Sequence, residues 1–241
     1  MEHKVISIIG GTGQEGKALA KNWAAAGFKV VLGSRDRQKA EETAALLNGQ
    51  AAGEGSGTAG SAAGFVPLEG MENREAVRAG RYIVLSVPYH SRNQVVESFL
   101  DELKGKILVD ITVPLKPGKP PSYLQPEAGS SAEELALLVG DRCPIVSGFH
   151  TLGAGFLEHL YRHRQSGGEA VLDEDQDVFV CGDDEQAKQA VLADLVQGLN
   201  LRGADAGGLG MAQTLERLVP LLIGLNIRYK RKSTGIKLSG F

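Results

Sequence analysis

The β-branched run KVISII at 4–9 leads directly into Gly11, Gly13 and Gly16, spaced as G-x-G-x-x-G, and then into a stretch with helical periodicity. Few short features constrain a fold more tightly. Such glycines permit a sharp turn, let a backbone approach a pyrophosphate closely, and allow a helix to pack tightly on a strand, while the helix N-terminus offers unpaired N–H groups to an anion. A helix is expected over 16–26, with Leu19, Trp23 and Ala26 on one face and Gly27 as its stop. A strand at 29–32 and a helix from Arg37 to Leu47, capped by Asp36, complete a strand–helix–strand–helix opening. An ordinary glycine-rich turn is the alternative, but the flanking pattern favours a dinucleotide cradle.

Further along, strand-like and helix-like segments keep alternating. The expected elements are "FVPL", a short helix at 73–79, a strand at 82–88, a helix at 93–103, a strand at 106–112 and a helix at 131–139. They continue with the strand "PIVSGFH", the strand "VFVCG", an acid-led helix and a closing helix near 209–227, where Pro220 is the one place for a kink. Five prolines between Pro114 and Pro126 impose an extended loop. This layout predicts an α/β chain with a Rossmann-type, doubly wound, mostly parallel sheet and a small C-terminal helical extension. The expected division is a nucleotide-binding part at 1–205 and a segment at 206–241 that completes the cleft. Residues 49–64 are almost all Gly, Ala and Ser, so they are expected to form a flexible surface insertion.

Bulk properties narrow the partners. A net charge of −3 gives no electrostatic reason to bind nucleic acid or an anionic membrane. The most apolar stretch, 218–225, is too short to span a bilayer, and the N-terminus lacks a signal-peptide layout, so a cytoplasmic protein is expected. Cys143 and Cys181 sit in or beside apolar runs and are expected to be buried free thiols.

The end of the second strand carries the cofactor choice. In NAD-type folds an acid there accepts hydrogen bonds from the ribose hydroxyls. Here the residues are Gly33, Ser34 and Arg35. A carboxylate about 4 Å from a ribose phosphate would repel each unit of its charge by roughly 4 kcal/mol at an effective dielectric of about 20, so its absence makes room for a phosphate. Arg35 adds a planar donor fork, Ser34 a hydroxyl and Lys39 a point charge, and together they predict NADP. The competing reading leaves Arg35 and Lys39 as solvated surface charges.

Later in the chain, "FHTLGAG" places His150 at the end of a strand, ahead of residues too small to block a planar ring. His150 could donate to a ring carbonyl, or it could merely cap local backbone. No metal site is expected. His159 and His163 lack a third ligand, and Asp173, Asp175 and Asp177 are followed by Val178 and Asp184 where a calcium loop needs Gly and Glu. No serine or cysteine has a nucleophile-elbow setting.

Through "IIGGTGQEGKALA", "GSRDRQKAEE", "LSVPYH", "SGFHTLGA", "VFVCGDDEQAK", "ADAGGL" and "GIKL", the chain resembles the F420-dependent NADP oxidoreductases over nearly its whole length. That family exchanges hydride between NADP and the deazaflavin coenzyme F420, with the two rings stacked face to face. By position, the resemblance implies that Gly11, Thr12, Gly13, Gln14 and Glu15 line the pyrophosphate and ribose, and that Ser34, Arg35 and Lys39 hold the ribose phosphate. Tyr89, Asn93 and Ala154 would flank the nicotinamide half, and His150 and Leu152 would contact the deazaflavin. It also implies a homodimer. The 49–64 insertion and the basic stretch "NIRYKRKSTG" depart from the pattern and could signal a changed acceptor. FMN or FAD is the nearest alternative, since the same architecture serves in the cytosolic part of membrane metalloreductases. A non-catalytic NADPH sensor is the alternative from a different class.

Overall fold

In the computed structural model, residues 4–54, 64–166 and 176–240 are described. The chain opens with β1 (Ile6–Ile9), α1 (Gln14–Ala25), β2 (Val30–Ser34) and α2 (Arg37–Glu54), then β3 (Glu69–Glu72), α3 (Asn73–Ala79), β4 (Tyr82–Leu85) and α4 (Tyr89–Glu97). It continues through β5 (Ile107–Asp110), a two-stranded ribbon of β6 (Leu115–Lys116) and β7 (Ser122–Tyr123), α5 (Ser131–Val139), β8 (Ile145–Gly148) and α6 (Ala154–Gln165). The last elements are β9 (Val178–Cys181), α7 (Glu185–Ala190), β10 (Gly203–Asp205) and α8 (Ala212–Tyr229).

Eight strands form one sheet in the order β10-β9-β8-β5-β4-β1-β2-β3. Every neighbouring pair is parallel except β8 and β9. This is the expected Rossmann-type, doubly wound architecture. β1 pairs with β2 on one side and β4 on the other, so the order reverses there and a crevice opens beyond the strand ends.

The sheet is apolar on both faces, as a parallel sheet covered by helices must be. Because side chains alternate along a strand, Ile6 and Ile8 enter one core while Ile9 enters the other. The first core contains Leu19, Trp23, Leu157 and Leu195; the second contains Val77, Val96, Leu135 and Leu215. Trp23 is fully buried, stands edge-on to Phe149 with ring centroids 6.0 Å apart, and donates its indole N–H to the Leu195 carbonyl at 2.9 Å.

Several expectations change. α2 runs on to Glu54, into the segment expected to be a flexible insertion, because Ala44, Leu47 and Ala51 keep a buried stripe against the sheet. The remainder of that insertion, 55–63, lies outside the described residues, as do Asp173 and Asp175. Ala26 is exposed beyond the end of α1 and does not belong to its apolar face. The helix expected at 93–103 starts at Tyr89 and breaks, with a separate 3-10 turn at Leu100–Leu103. The acid-led helix is capped by Asp184, which accepts from the Ala187 N–H at 2.8 Å, and passes after Ala190 into a π-helical turn at Val191–Val196.

Two strands were not expected. β3 reads EGME and β10 reads GAD, and neither has an apolar alternation; both are held by pairing with a neighbour. At Gly70 a Cβ would come within 2.3 Å of the Ala40 and Glu41 backbone, so its absence is what lets α2 lie on β3. The expected extended proline loop also contains the small β6–β7 ribbon.

Trp23→Ala removes a fully buried aromatic and leaves a cavity between α1 and the π-helical turn. Stability should fall by about 3–5 kcal/mol, read as a lower urea midpoint followed by circular dichroism.

Candidate functional site

Turns that leave the carboxyl ends of the strands converge on a trench with two chambers. The smaller holds about 220 Å³ and is walled by Thr12 and Gly13 after β1, by Ser34, Arg35 and Lys39 after β2, and by Asn73 and Ser91. The larger holds about 490 Å³ and runs from Gly13, Gln14 and Glu15, past Tyr89 and Thr112, to His150 and Leu152 and the α8 side chains Leu222 and Asn226. Gly13, Ser86, Val87 and Pro88 border both chambers. The two chambers therefore adjoin along these shared residues.

Glycine packing shapes the turn. Gly10 has φ of +82°, and a Cβ there would sit 2.3 Å from the Ser86 carbonyl oxygen. A Cβ on Gly16 would meet Gly11 Cα at 2.8 Å, which is the close helix–strand approach that the motif implies. α1 then begins at Gln14 and aims its free N–H groups at the junction of the chambers.

At the end of β2, Gly33 has a packing role as well as an electrostatic one. A Cβ there would lie 2.7 Å from Ile9 Cδ1 and 3.1 Å from Asn73 Oδ1, so an acid could enter only by displacing the core. Ser34, Arg35 and Lys39 do line the small chamber, the last two as exposed cations. Asp36 caps α2, accepting from the Lys39 N–H at 3.2 Å, as expected. Asn73 was not singled out from sequence: its side chain is buried and its Oδ1 has no partner. Its signal was hidden because it follows β3, the strand with no apolar pattern.

In the large chamber, Phe149 adopts a left-handed φ of 65° that turns the chain sharply after β8 and delivers His150 to the cleft. His150 Nε2 lies 3.5 Å from Ser147 Oγ, and its buried Nδ1 has no partner. Burial pushes its pKa down to about 4, against the opposing pull of Asp110, so the ring is neutral at ordinary pH. The buried Oγ1 atoms of Thr112 and Thr151 are also unpartnered and border the same chamber. His150, Thr112 and Thr151, each with an unmet polar atom, thus border one chamber. Leu152 borders it as well. Sequence points to neither threonine: Thr112 lies in a turn without a motif, and Thr151, although within FHTLGAG, is overshadowed there by His150.

Glu15 is partly buried, and burial raises its pKa to about 7, with the Ala154 N–H working in the opposite direction. Ala154 thus sits at the start of α6 beside Glu15 and borders a neighbouring pocket, not the large chamber. Tyr89 lines the large chamber, and its hydroxyl pKa is pushed up to about 12 by burial and by Glu134. Asn93 borders neither chamber; its Oδ1 accepts from Arg92 Nε at 3.0 Å and Nη2 at 2.7 Å.

Behind this wall lies a buried ionic network. Arg92 is fully buried, stands 3.6 Å from the Asp110 carboxylate, and pairs with Glu134 at 2.8 Å. Asp110 accepts from Ser131 Oγ at 3.0 Å and from the Thr112 N–H at 3.0 Å. Glu216 on α8 accepts from the Ser131 N–H at 3.0 Å and from the Tyr123 hydroxyl at 2.7 Å. Burial raises the Glu216 pKa to about 7. The network fastens α4, α5 and α8 to β5, and thereby fixes the far wall of the cleft.

Among the described residues, no group of three or more His, Cys, Asp and Glu side chains is placed to hold a metal ion, and no helix is long and apolar enough to cross a membrane. Cys143 and Cys181 are buried free thiols.

The family model described as NADP oxidoreductase, coenzyme F420-dependent, matches residues 5–114. The F420-dependent NADP reductase of Methanocaldococcus jannaschii is 37% identical over 97% of this chain and 97% of its own length. The rat metalloreductase STEAP3 is 27% identical over 90% of this chain, which spans 38% of that protein. An Arthrobacter sp. FB24 crystal structure, provisionally assigned as an F420-dependent NADP reductase, superposes with a TM-score of 0.73 at 24% identity, covering 97% of this chain and 98% of that one.

Proposed function

The chain belongs to the F420-dependent NADP reductase family, an NADP-using group of oxidoreductases, and from that premise we propose that it moves hydride between NADP(H) and coenzyme F420 in the trench. The observation that carries this reading is the pair of joined chambers, one edged by cations and the other by unmatched polar atoms. When bound, the two cofactors supply the chemistry themselves, a direct hydride transfer between nicotinamide and deazaflavin rings.

The chain's residues bind, orient and exclude water. Gly11, Thr12, Gly13 and Gln14 hold the pyrophosphate against the N-terminus of α1, where the helix dipole is positive. Ser34, Arg35 and Lys39 hold the ribose phosphate, and Asn73 beside them offers its unpartnered Oδ1 as an acceptor to a ribose hydroxyl. Tyr89 borders the nicotinamide half, with Asn93 acting behind it by holding Arg92 and Ala154 by facing Glu15. Neutral His150, with Thr112 and Thr151, offers hydrogen bonds to the edge of the deazaflavin, and Leu152 packs on its face. A fixed donor there steadies charge as it develops on the ring. Within the segment 206–241, α8 and the turn after it complete the cleft by supplying its outer wall. A homodimer remains part of the proposal, supported by the exposed apolar side chains Leu137 on α5 and Leu221, Ile227 and Tyr229 on α8. So does a cytoplasmic location, which suits two buried thiols left unpaired.

Mixing the protein and NADPH separately with oxidised F420, FMN and FAD in a stopped-flow instrument tests the reaction. Rapid loss of nicotinamide absorbance with F420 is expected; loss only with a flavin would reassign the acceptor, and no loss with any of the three would leave a nucleotide sensor. Arg35→Ala deletes the charge-assisted hydrogen bonds to the ribose phosphate. It should weaken NADPH binding by about ten- to a hundredfold while changing NADH binding by less than about twofold, measured by fluorescence titration. The Glu15 carboxyl ionises as pH rises through about 7, placing a negative charge beside an anionic cofactor. NADPH affinity should therefore fall across pH 6–8 by roughly threefold or more, and Glu15→Gln should flatten that profile in the same titration.

A further inference from the structure

The last acid in the chain is Glu216; from Arg217 to Phe241 every charged side chain is a cation, in a protein whose net charge is −3. Four of these cations fall within five residues, Arg228, Lys230, Arg231 and Lys232, and all four are exposed. Among the described residues none of them meets a carboxylate. Their backbone, in contrast, is held firmly. Lys230 ends α8 in a left-handed conformation with φ of 52°, which folds the chain back, and the Arg231 N–H returns to the Asn226 carbonyl at 2.9 Å. Asn226 Oδ1 then accepts from both the Thr234 N–H at 3.0 Å and the Thr234 hydroxyl at 2.8 Å. Gln176 Nε2 donates to the Ser233 carbonyl at 3.0 Å. At Gly235 a Cβ would fall within 2.0 Å of the Gln176 side chain, so the return is packed against the sheet without room for a side chain.

The consequence is positional. Asn226, Lys232, Ser233 and Thr234 border the same chamber as His150 and Leu152, so the anchored turn edges its mouth; of the four cations Lys232 borders the chamber itself, and Arg228, Lys230 and Arg231 stand exposed beside it on the same return. Cations held at such a mouth without acidic partners create a local positive field, and a low-dielectric wall concentrates it.

We propose that the turn Arg228–Lys232 is a specificity element that binds the anionic tail of the ring substrate, selecting a deazaflavin that carries phosphate and carboxylates over the same ring without them. This rests on the F420 reading above, since that coenzyme bears a phosphodiester and glutamyl carboxylates beyond its ribityl chain. The turn contacts the tail, away from the reacting atoms, so it sets affinity and leaves ring stacking to the chamber wall. It also accounts for the basic departure near the C-terminus as a tail-recognition device.

Equilibrium titration of the full chain with F420, and with the deazaflavin nucleoside that lacks phosphate and glutamates, tests this at low and at high salt. F420 should bind about tenfold more tightly than the nucleoside at low salt, the sum expected of several exposed charge pairs, and the preference should shrink as salt screens it. The quadruple variant Arg228→Gln, Lys230→Gln, Arg231→Gln, Lys232→Gln should bind the two deazaflavins equally and retain native NADPH affinity. The single variant Lys232→Glu should reverse part of the preference, and serves if the quadruple variant does not fold. Equal, salt-independent binding of the two by the native protein overturns the proposal and leaves the F420 reading standing, as does a preference that survives these substitutions. Binding of neither deazaflavin removes both.

Discussion

Parallel pairing on both sides of β1 is the constraint on which the rest of this molecule depends. Because Ile6–Ile9 bonds to β2 on one side and β4 on the other, the chain must leave β1 and β4 at the same sheet edge and in opposite directions. A crevice opens there, and the glycines that follow β1 keep it open by letting α1 pack closely without side chains in the gap. The residues proposed to touch a cofactor stand on the strand ends, turns and first helical turns along this edge, or on the C-terminal segment that faces it.

The far wall needs separate support, because α8 and the turn after it come from the end of the chain. A buried ionic network provides it. Arg92, Asp110, Glu134 and Glu216 are tied to Ser131 and Tyr123, so α4, α5 and α8 are fastened to β5. Removing one charge from such a group would leave another buried without its partner, the costly direction of change. Pre-organisation of this kind suits a reaction whose chemistry belongs to the cofactors and whose protein contribution is orientation and exclusion of water.

Electrostatics divides the trench. The small chamber is edged by Arg35 and Lys39, while the large chamber is apolar with a few unmatched polar atoms. His150 belongs to that second environment, where burial holds it neutral and leaves a single N–H to donate. Glu15, beside Gly13 in the large chamber, has its pKa raised by burial to about 7, so its charge changes within the ordinary pH range.

Read by itself, the sequence determined the strand–glycine–helix cradle, the absence of an acid after β2, the sheet class, and the placement of His150 at a strand end, because each depends on local periodicity or on residues close in the chain. Ser34, Arg35 and Lys39 were legible for the same reason. Tertiary structure alone decided the rest. β3 and β10 have too little apolar pattern to be seen, and exist because a neighbour offers a free edge; α2 continues through alanines and glycines because the sheet buries one side of it. Asn73, Thr112 and Thr151 became site candidates only when folding buried their polar atoms without partners. Gly33 read as a vacancy for phosphate, but in the fold it is also a contact with Ile9 that no acid could share. The basic turn at 228–232 read as a departure from a pattern, and only the hydrogen bonds of Asn226, which fold it back onto the cleft, give those charges a place to act.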